Sequence, residues 1–242
     1  MAKAPQRAPV LGPAFIRLLA RFTDADVSRP PPALSERLNQ WFDWNRAITL
    51  SRALDGRLSE ALDGADFDSA EDAGCARMRA TLLDSIHAGV DTTTPRRISS
   101  AEREAHAGYA PYRQHYLAVQ RAMLATTGNL RGRLREMLAR QSPAKARLAE
   151  VDAVMEASLS PREHSLLSTV PALLGTHFSR LHAAHRQSAA PPEPPDISED
   201  AEPAPSGPWL AVFEQDLRTA LLAELDIRFH PVDGLLAALR TR

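Results

Sequence analysis

Residues 109–141 read YAPYRQHYLAVQRAMLATTGNLRGRLREMLARQ, and this stretch decides the fold. Large apolar side chains fall at Tyr109, Tyr112, Tyr116, Val119, Met123, Leu130, Leu134 and Met137/Leu138, with Thr126 and Thr127 filling the one gap. Steps that alternate between three and four are the period of a single long amphipathic helix. At about 1.5 Å per residue it spans roughly 45 Å. Burial of each large side chain contributes about 1.5–3 kcal/mol, while ordering each residue costs roughly 1–2 kcal/mol. Such a helix cannot stand alone, so its stripe needs partners from the rest of the chain or from another chain.

The second half of this helix is basic. Arg131, Arg133, Arg135, Arg140, Lys145 and Arg147 stand against Glu136 alone between positions 131 and 147, so six minus one leaves +5. Ser142-Pro143 interrupts the chain, and a helix from Ala144 to Leu159 is expected to bury Leu148, Val151, Met155 and Leu159. Ser160-Pro161-Arg162-Glu163 reads as a new helix start: serine as cap, proline in the first position, glutamate reaching back. Pro171 then bends or splits that helix, Gly175 turns, and Thr176 caps a last segment carrying Phe178 and Leu181.

Upstream, Pro13 to Phe22 forms a short helix with Phe15, Leu18, Leu19 and Phe22 on one side and Arg17 and Arg21 flanking them. Its shortness favours docking on the bundle over a role as a membrane-surface anchor. Pro30, Pro31 and Pro32 delay the next helix, which runs from Ala33 to Leu62 and carries Trp41 and Phe42 on its stripe. Trp44 lies off that stripe and is a candidate contact residue. A third helix from Ser69 to Ala88 places Cys75, Met78, Leu82 and Ile86 on one face, which makes Cys75 a small buried hydrophobe rather than a nucleophile. A loop over 89–97 and a short helix capped by Ser99 or Ser100 lead back to the central stretch.

Residues 187–208 change character: seven prolines and five acids occur with no lysine or arginine, the signature of a disordered linker. Beyond it Trp209, Leu210, Phe213, Leu217, Leu221 and Leu225 recur at helical steps, Pro231 is expected to stop the helix, and Val232 to Leu239 form a second, short one. A linker followed by an apolar-faced helix implies docking, on the bundle of the same chain or in a partner's groove.

At 242 residues, 44% hydrophobic and 5% aromatic, the composition favours helix over sheet. The net charge of −1 gives no global pull toward nucleic acid or an anionic membrane. A single cysteine excludes an intramolecular disulfide and fits a reducing compartment. No apolar window reaches the ~20 residues of a spanning helix, so a cytoplasmic location is expected. Phosphate-cradling glycine loops, HExxH and GxSxG are all missing from the sequence. His182 and His185, three apart on one helical face, lack a nearby carboxylate for a metal, and no cofactor is implied. Small-molecule ligands are not indicated either way.

Three stretches carry a resemblance: Leu11-Gly12-Pro13 through Val27, Leu34-Ser35 through Trp41, and Leu221 through Asp226 continuing from Pro231 to Leu239. Together they resemble a proteobacterial family of uncharacterised proteins, a domain of unknown function of about this length. That resemblance transfers no catalytic residue, and it implies a cytoplasmic accessory of an envelope-associated complex.

The expected fold is all-α, an irregular multi-helix bundle with a long central helix and a C-terminal helical hairpin after a disordered linker. Residues 1–12 form a loose arm, 13–186 the bundle, 187–208 the acidic linker, and 209–242 the helices that pack back. The expected function is a non-catalytic scaffold or adaptor that binds a protein partner or itself. Candidate interaction residues are Arg131, Arg133, Arg135, Arg140, Lys145, Arg147, Trp44, Trp209, Phe213 and Leu217. The alternative is a DNA-binding regulator that uses the basic segment 131–147 and a helix-turn-helix-like region over 160–186.

Overall fold

The computed structural model describes residues 14–23, 44–55, 67–90, 108–188 and 208–241. Every regular element among them is an α-helix: α1 (Ala14–Thr23), α2 (Trp44–Asp55), α3 (Ser69–Ala88), α4 (Ala110–Gln141), α5 (Pro143–Leu167), α6 (Val170–Ser188) and α7 (Pro208–Arg240). The arm, the acidic segment 189–207, residues 33–43 and 56–62 of the second expected helix, and the short helix near Ser99 lie outside the described residues.

The central stretch is one 32-residue helix whose buried residues are Tyr112, Tyr116, Val119, Met123, Thr127, Leu130, Leu134 and Leu138. Thr127 fits the stripe because its hydroxyl donates to the Met123 carbonyl at 2.8 Å. The main partner of α4 is α7, which runs parallel to it. Tyr112 meets Glu214, Tyr116 meets Glu224, and Lys145, just past α4, meets the Thr241 carbonyl. α3 lies antiparallel across this pair, with Glu71 against Arg133, Asp72 against Arg240, and Arg79 against Asp226 and Asp233. α5 runs back along α4, and α2 packs on α5. At the end of the pair where α4 and α7 begin, α6 and α1 close the core: Phe178 meets Phe213 edge-on at 5.0 Å, and Phe22 stacks on His177 at 4.8 Å.

Local signals place most helix ends. Asp68 caps α3 by accepting from the Ala70 and Glu71 amides, and Gly89, at φ 68°, ends it in the left-handed region that favours glycine. Ser142 accepts from the Lys145 amide at 3.2 Å, with Pro143 in the first position of α5. Gly175 is required for a different reason. A Cβ there would sit 2.9 Å from the Tyr109 ring, whose hydroxyl donates to the Pro171 carbonyl.

Proline-based expectations fail in two places and hold at a third, Pro171, where the helix is split. Pro231 does not stop the last helix: α7 is one continuous 33-residue helix rather than a hairpin. Pro161 likewise lies inside α5, so Ser160 caps nothing. Each ring removes one amide donor and crowds the carbonyl four residues back, a cost of about 3 kcal/mol in an isolated helix. Burial of Phe229, Val232, Leu235 and Leu236 around Pro231 offsets that cost. Pro171, conversely, sits at the start of α6, after a break at Ser168–Thr169, and Gly175 is helical.

The apolar face expected of α5 is also only partly buried, with Val151, Met155 and Leu159 half-buried. Leu148 is 43% exposed, and the fully buried residues are Ala149, Ser158 and Leu167. The side turned to α4 carries Asp152 and Glu156 instead, for the ion pairs described below. Met78 of α3 is exposed as well, while Cys75, Leu82 and Ile86 are buried as their spacing predicts.

Twelve residues of α7 are buried, so the bundle cannot close without it. A chain ending at position 207 should lose its cooperative thermal transition and bind the dye ANS. A sharp melt at the full-length temperature would show that the first six helices form a core by themselves.

Candidate functional site

The most concentrated chemistry lies where α4, α5 and α7 meet. Glu224 of α7 is 0% exposed, one turn from Arg228, which is 6% exposed. Its carboxylate accepts from the Tyr116 hydroxyl at 2.6 Å, from Gln120 Nε2 at 3.0 and 3.2 Å, and from Arg228 Nε at 2.9 Å. Arg228 Nη1 also donates to Glu163 of α5 at 3.1 Å, and Gln120 donates to the Leu167 carbonyl at 3.2 Å. Three helices are thus joined through one buried carboxylate. Burial, reinforced by Glu224, pushes the Tyr116 phenol well above its ordinary value.

A cleft of about 50 Å³ opens beside the network, lined among others by Thr127, Arg131, Ser160, Glu163, His164 and Arg228. It has room for a few waters, each of which needs about 10–15 Å³ of such space. Both arginines in its wall already face carboxylates, Arg228 as above and Arg131 toward Asp152 and Glu156. The lining therefore presents matched charge rather than a field of one sign. Among the described residues no set of three histidine, cysteine or acid side chains could hold a metal.

The basic segment is largely answered from within. Arg131 forms a fork on Asp152 through Nε at 2.8 Å and Nη2 at 2.6 Å, and Arg135 bonds Asp152 and Glu156. Arg133 pairs with Glu71 of α3, and Lys145 donates to Gln141 and to the Thr241 carbonyl. Arg147 is half-buried on α5, and Arg140 is exposed at the end of α4. Asp152 and Glu156 lie some twenty residues downstream on α5, and the helix pairing brings them back to the arginines.

The remaining candidates separate by burial. Phe213 and Leu217 are core residues, and Trp209 packs edge-on to Phe178 at 5.2 Å. His182 and His185, considered above as a metal pair, both lie against the Trp209 ring. Trp44 stands apart at 79% exposure.

Sequence reading missed Glu224, Arg228 and Gln120 as site residues. A signal was present: Glu224 and Arg228 are four apart on the stripe that carries Leu221 and Leu225, so the helical period already turned two charges inward. The pair His177 and Asp216, 2.8 Å apart, had no such signal, because they come from different helices.

A model of the family described as "Protein of unknown function (DUF3348)" matches residues 1–241. Searches of curated proteins and of solved structures find no match. No helix of the described residues is long and apolar enough to cross a membrane.

Two measurements test this network. Glu224→Ala should lower stability in urea unfolding by about 3–5 kcal/mol, since it leaves a buried arginine short of a partner. Glu224→Leu combined with Arg228→Met should recover much of that loss. If the single and double variants are equally destabilised, the buried pairing is not the source.

Stability should also fall above pH 10. The Tyr109, Tyr112 and Tyr116 phenols are all raised above the ordinary 10.0, chiefly by burial. The unfolded chain releases these protons first, so the contribution is complete below pH 10 and disappears as pH climbs toward the folded values. A melting temperature that stays flat from pH 9 to 11 would contradict it.

Proposed function

Because the chain belongs to the DUF3348 family, whose description carries no activity, we propose from the molecule itself that it is a non-catalytic helical scaffold or adaptor for a protein partner. The observation that carries this reading is α2. Ala53 is the one fully buried residue of this helix, while Trp44 is 79% and Leu54 49% exposed. A tryptophan presented at that exposure on a helix is a surface anchor of the kind enriched at the centres of protein interfaces. The long helices supply the rigid frame, since their own stripes are used up in the core.

The C-terminal helix supports the same division of labour. Its apolar face packs on α3, α4 and α6 of the same chain, so Phe213 and Leu217 serve the bundle and the partner surface lies elsewhere. A cytoplasmic location and a role beside an envelope-associated complex belong to the same proposal. The DNA-binding alternative draws less support. The guanidinium groups of Arg131, Arg133 and Arg135 face carboxylates, and the turn expected at Gly175 is helix.

The test compares the full chain with Trp44→Ser/Leu54→Ser in affinity capture from the native cell. The double variant should melt like the parent, because neither side chain is in the core. It should nevertheless lose a stoichiometric partner that the parent retains. Equal retention by both chains, or a parent that captures only itself, would sink the proposal.

A further inference from the structure

The end of α7 is joined to the rest of the helix across a proline. Pro231 supplies no amide, so the Ile227 carbonyl, four residues back, loses its helical donor, and the ring crowds that same carbonyl. Helices bend at such residues, because the clash pushes the two segments apart on the side of the ring. On that side lies the cleft of about 50 Å³, whose wall includes Pro231, Arg228 and Gly128. A Cβ added at Gly128 would meet nothing within 4 Å, so this side of the level has open space. The segment from the ring onward, 231–240, carries Val232, Leu235, Leu236 and Leu239 into the core.

The opposite side of the same level is held by one side chain of α3. Asp226, Phe229 and Asp233 recur at steps of three and four, so they share one face of α7. Pro231 lies roughly 140–160° around the axis from the two acids, at about 100° per residue. Arg79 spans that shared face. Its Nη2 donates to Asp226 Oδ1 at 2.8 Å and its Nη1 to Asp233 Oδ2 at 3.3 Å, while Cζ stands 4.9 Å from the centre of the Phe229 ring.

The two acids are about 10 Å apart along the axis, one before Pro231 and one after it. A guanidinium is a planar fork whose ends have a fixed separation. It engages both acids only when the face between them has one length, and that length depends on the angle at the proline. Phe229 beneath adds a cation–π contact. Two further contacts, Arg240 with Asp72 and Lys145 with the Thr241 carbonyl, tie down the tip of the segment. Among the described residues, Arg79 is the ion-pairing side chain that bonds α7 on both sides of the proline.

We propose that Pro231 is a hinge in α7 and that Arg79 is its latch. With both acids engaged, the guanidinium holds the angle at which 231–240 meet the rest of the helix. With either acid released, that segment lifts from the bundle more readily. This device stands apart from the adaptor reading, and either can fail without the other.

Hydrogen exchange of the full chain, read by mass spectrometry, tests the latch. The Asp226 and Asp233 side chains are 65% and 49% exposed, so Asp226→Asn and Asp233→Asn leave the core intact. Each should speed exchange of the amides of 232–239 about fivefold or more and leave those of 213–222 unchanged. Asp226→Asn decides the matter, since Asp226 precedes the proline and the faster amides follow it. In a Pro231→Ala background, where the helix regains its donor, the same variant should change that exchange less than about twofold. A silent Asp226→Asn, with Asp233→Asn alone acting, would reduce Arg79 to a pin on the end segment and overturn the latch. Equal acceleration with and without the proline, or acceleration spread evenly along α7, overturns it as well. Should Pro231→Ala fail to fold, Arg79→Lys takes its place. Lysine keeps the charge and loses the fork, so this variant should match Asp226→Asn, and exchange like that of the parent refutes the latch.

Discussion

The constraint on which the bundle depends is the burial of one carboxylate. Glu224 sits at the contact of the two longest helices with no exposure to water, and it accepts from a phenol, an amide and a guanidinium. Stripping an ion of water costs several kcal/mol, and only good geometry with every lone pair engaged repays it. An apolar seam alone tolerates slippage by a turn. With Glu224 in place, a slip of α7 along α4 would separate the carboxylate from Tyr116 and Gln120 and leave it buried and short of donors. The parallel register of α4 and α7 is thereby fixed, and Arg228 extends the same constraint to α5 through Glu163.

Around that contact the two faces of α4 are satisfied by different physics. Toward α7 and α3 the seam is mostly apolar, from Tyr112 to Leu138, with the Glu224 network and the Arg133–Glu71 pair set into it. Toward α5 it is ionic, with Arg131 and Arg135 against Asp152 and Glu156. These pairs are only partly exposed, with side chains between 14 and 27% accessible, so they are screened less than surface pairs. The side of α5 turned to α4 thus carries acids, while Leu148 and Leu166 are exposed. The pairing also explains why a segment of +5 lies in a chain of net charge −1 without forming a surface of one sign.

The aromatic cluster at the other end of the helices works as a plug. Tyr109, Tyr112, Phe178, Phe213 and Trp209 pack edge-on or tilted, which suits the quadrupoles of their rings. Gly175 lets the Tyr109 ring approach the backbone of α6, so the plug depends on a residue without a side chain.

The sequence by itself determined the helical class, the central helix to within a residue, and the burial of Cys75, Leu82 and Ile86. All of these are encoded within four residues along the chain, through period and local hydrogen bonding. Tertiary structure alone decided whether prolines end helices. Pro161 and Pro231 are carried through because the packing around them outweighs one lost hydrogen bond, whereas Pro171 coincides with a real start. Tertiary structure also decided which charges meet. Arg131 and Asp152, Tyr116 and Glu224, and His177 and Asp216 are 21, 108 and 39 residues apart. No local rule contains the register of one helix against another, and register is what selects those partners.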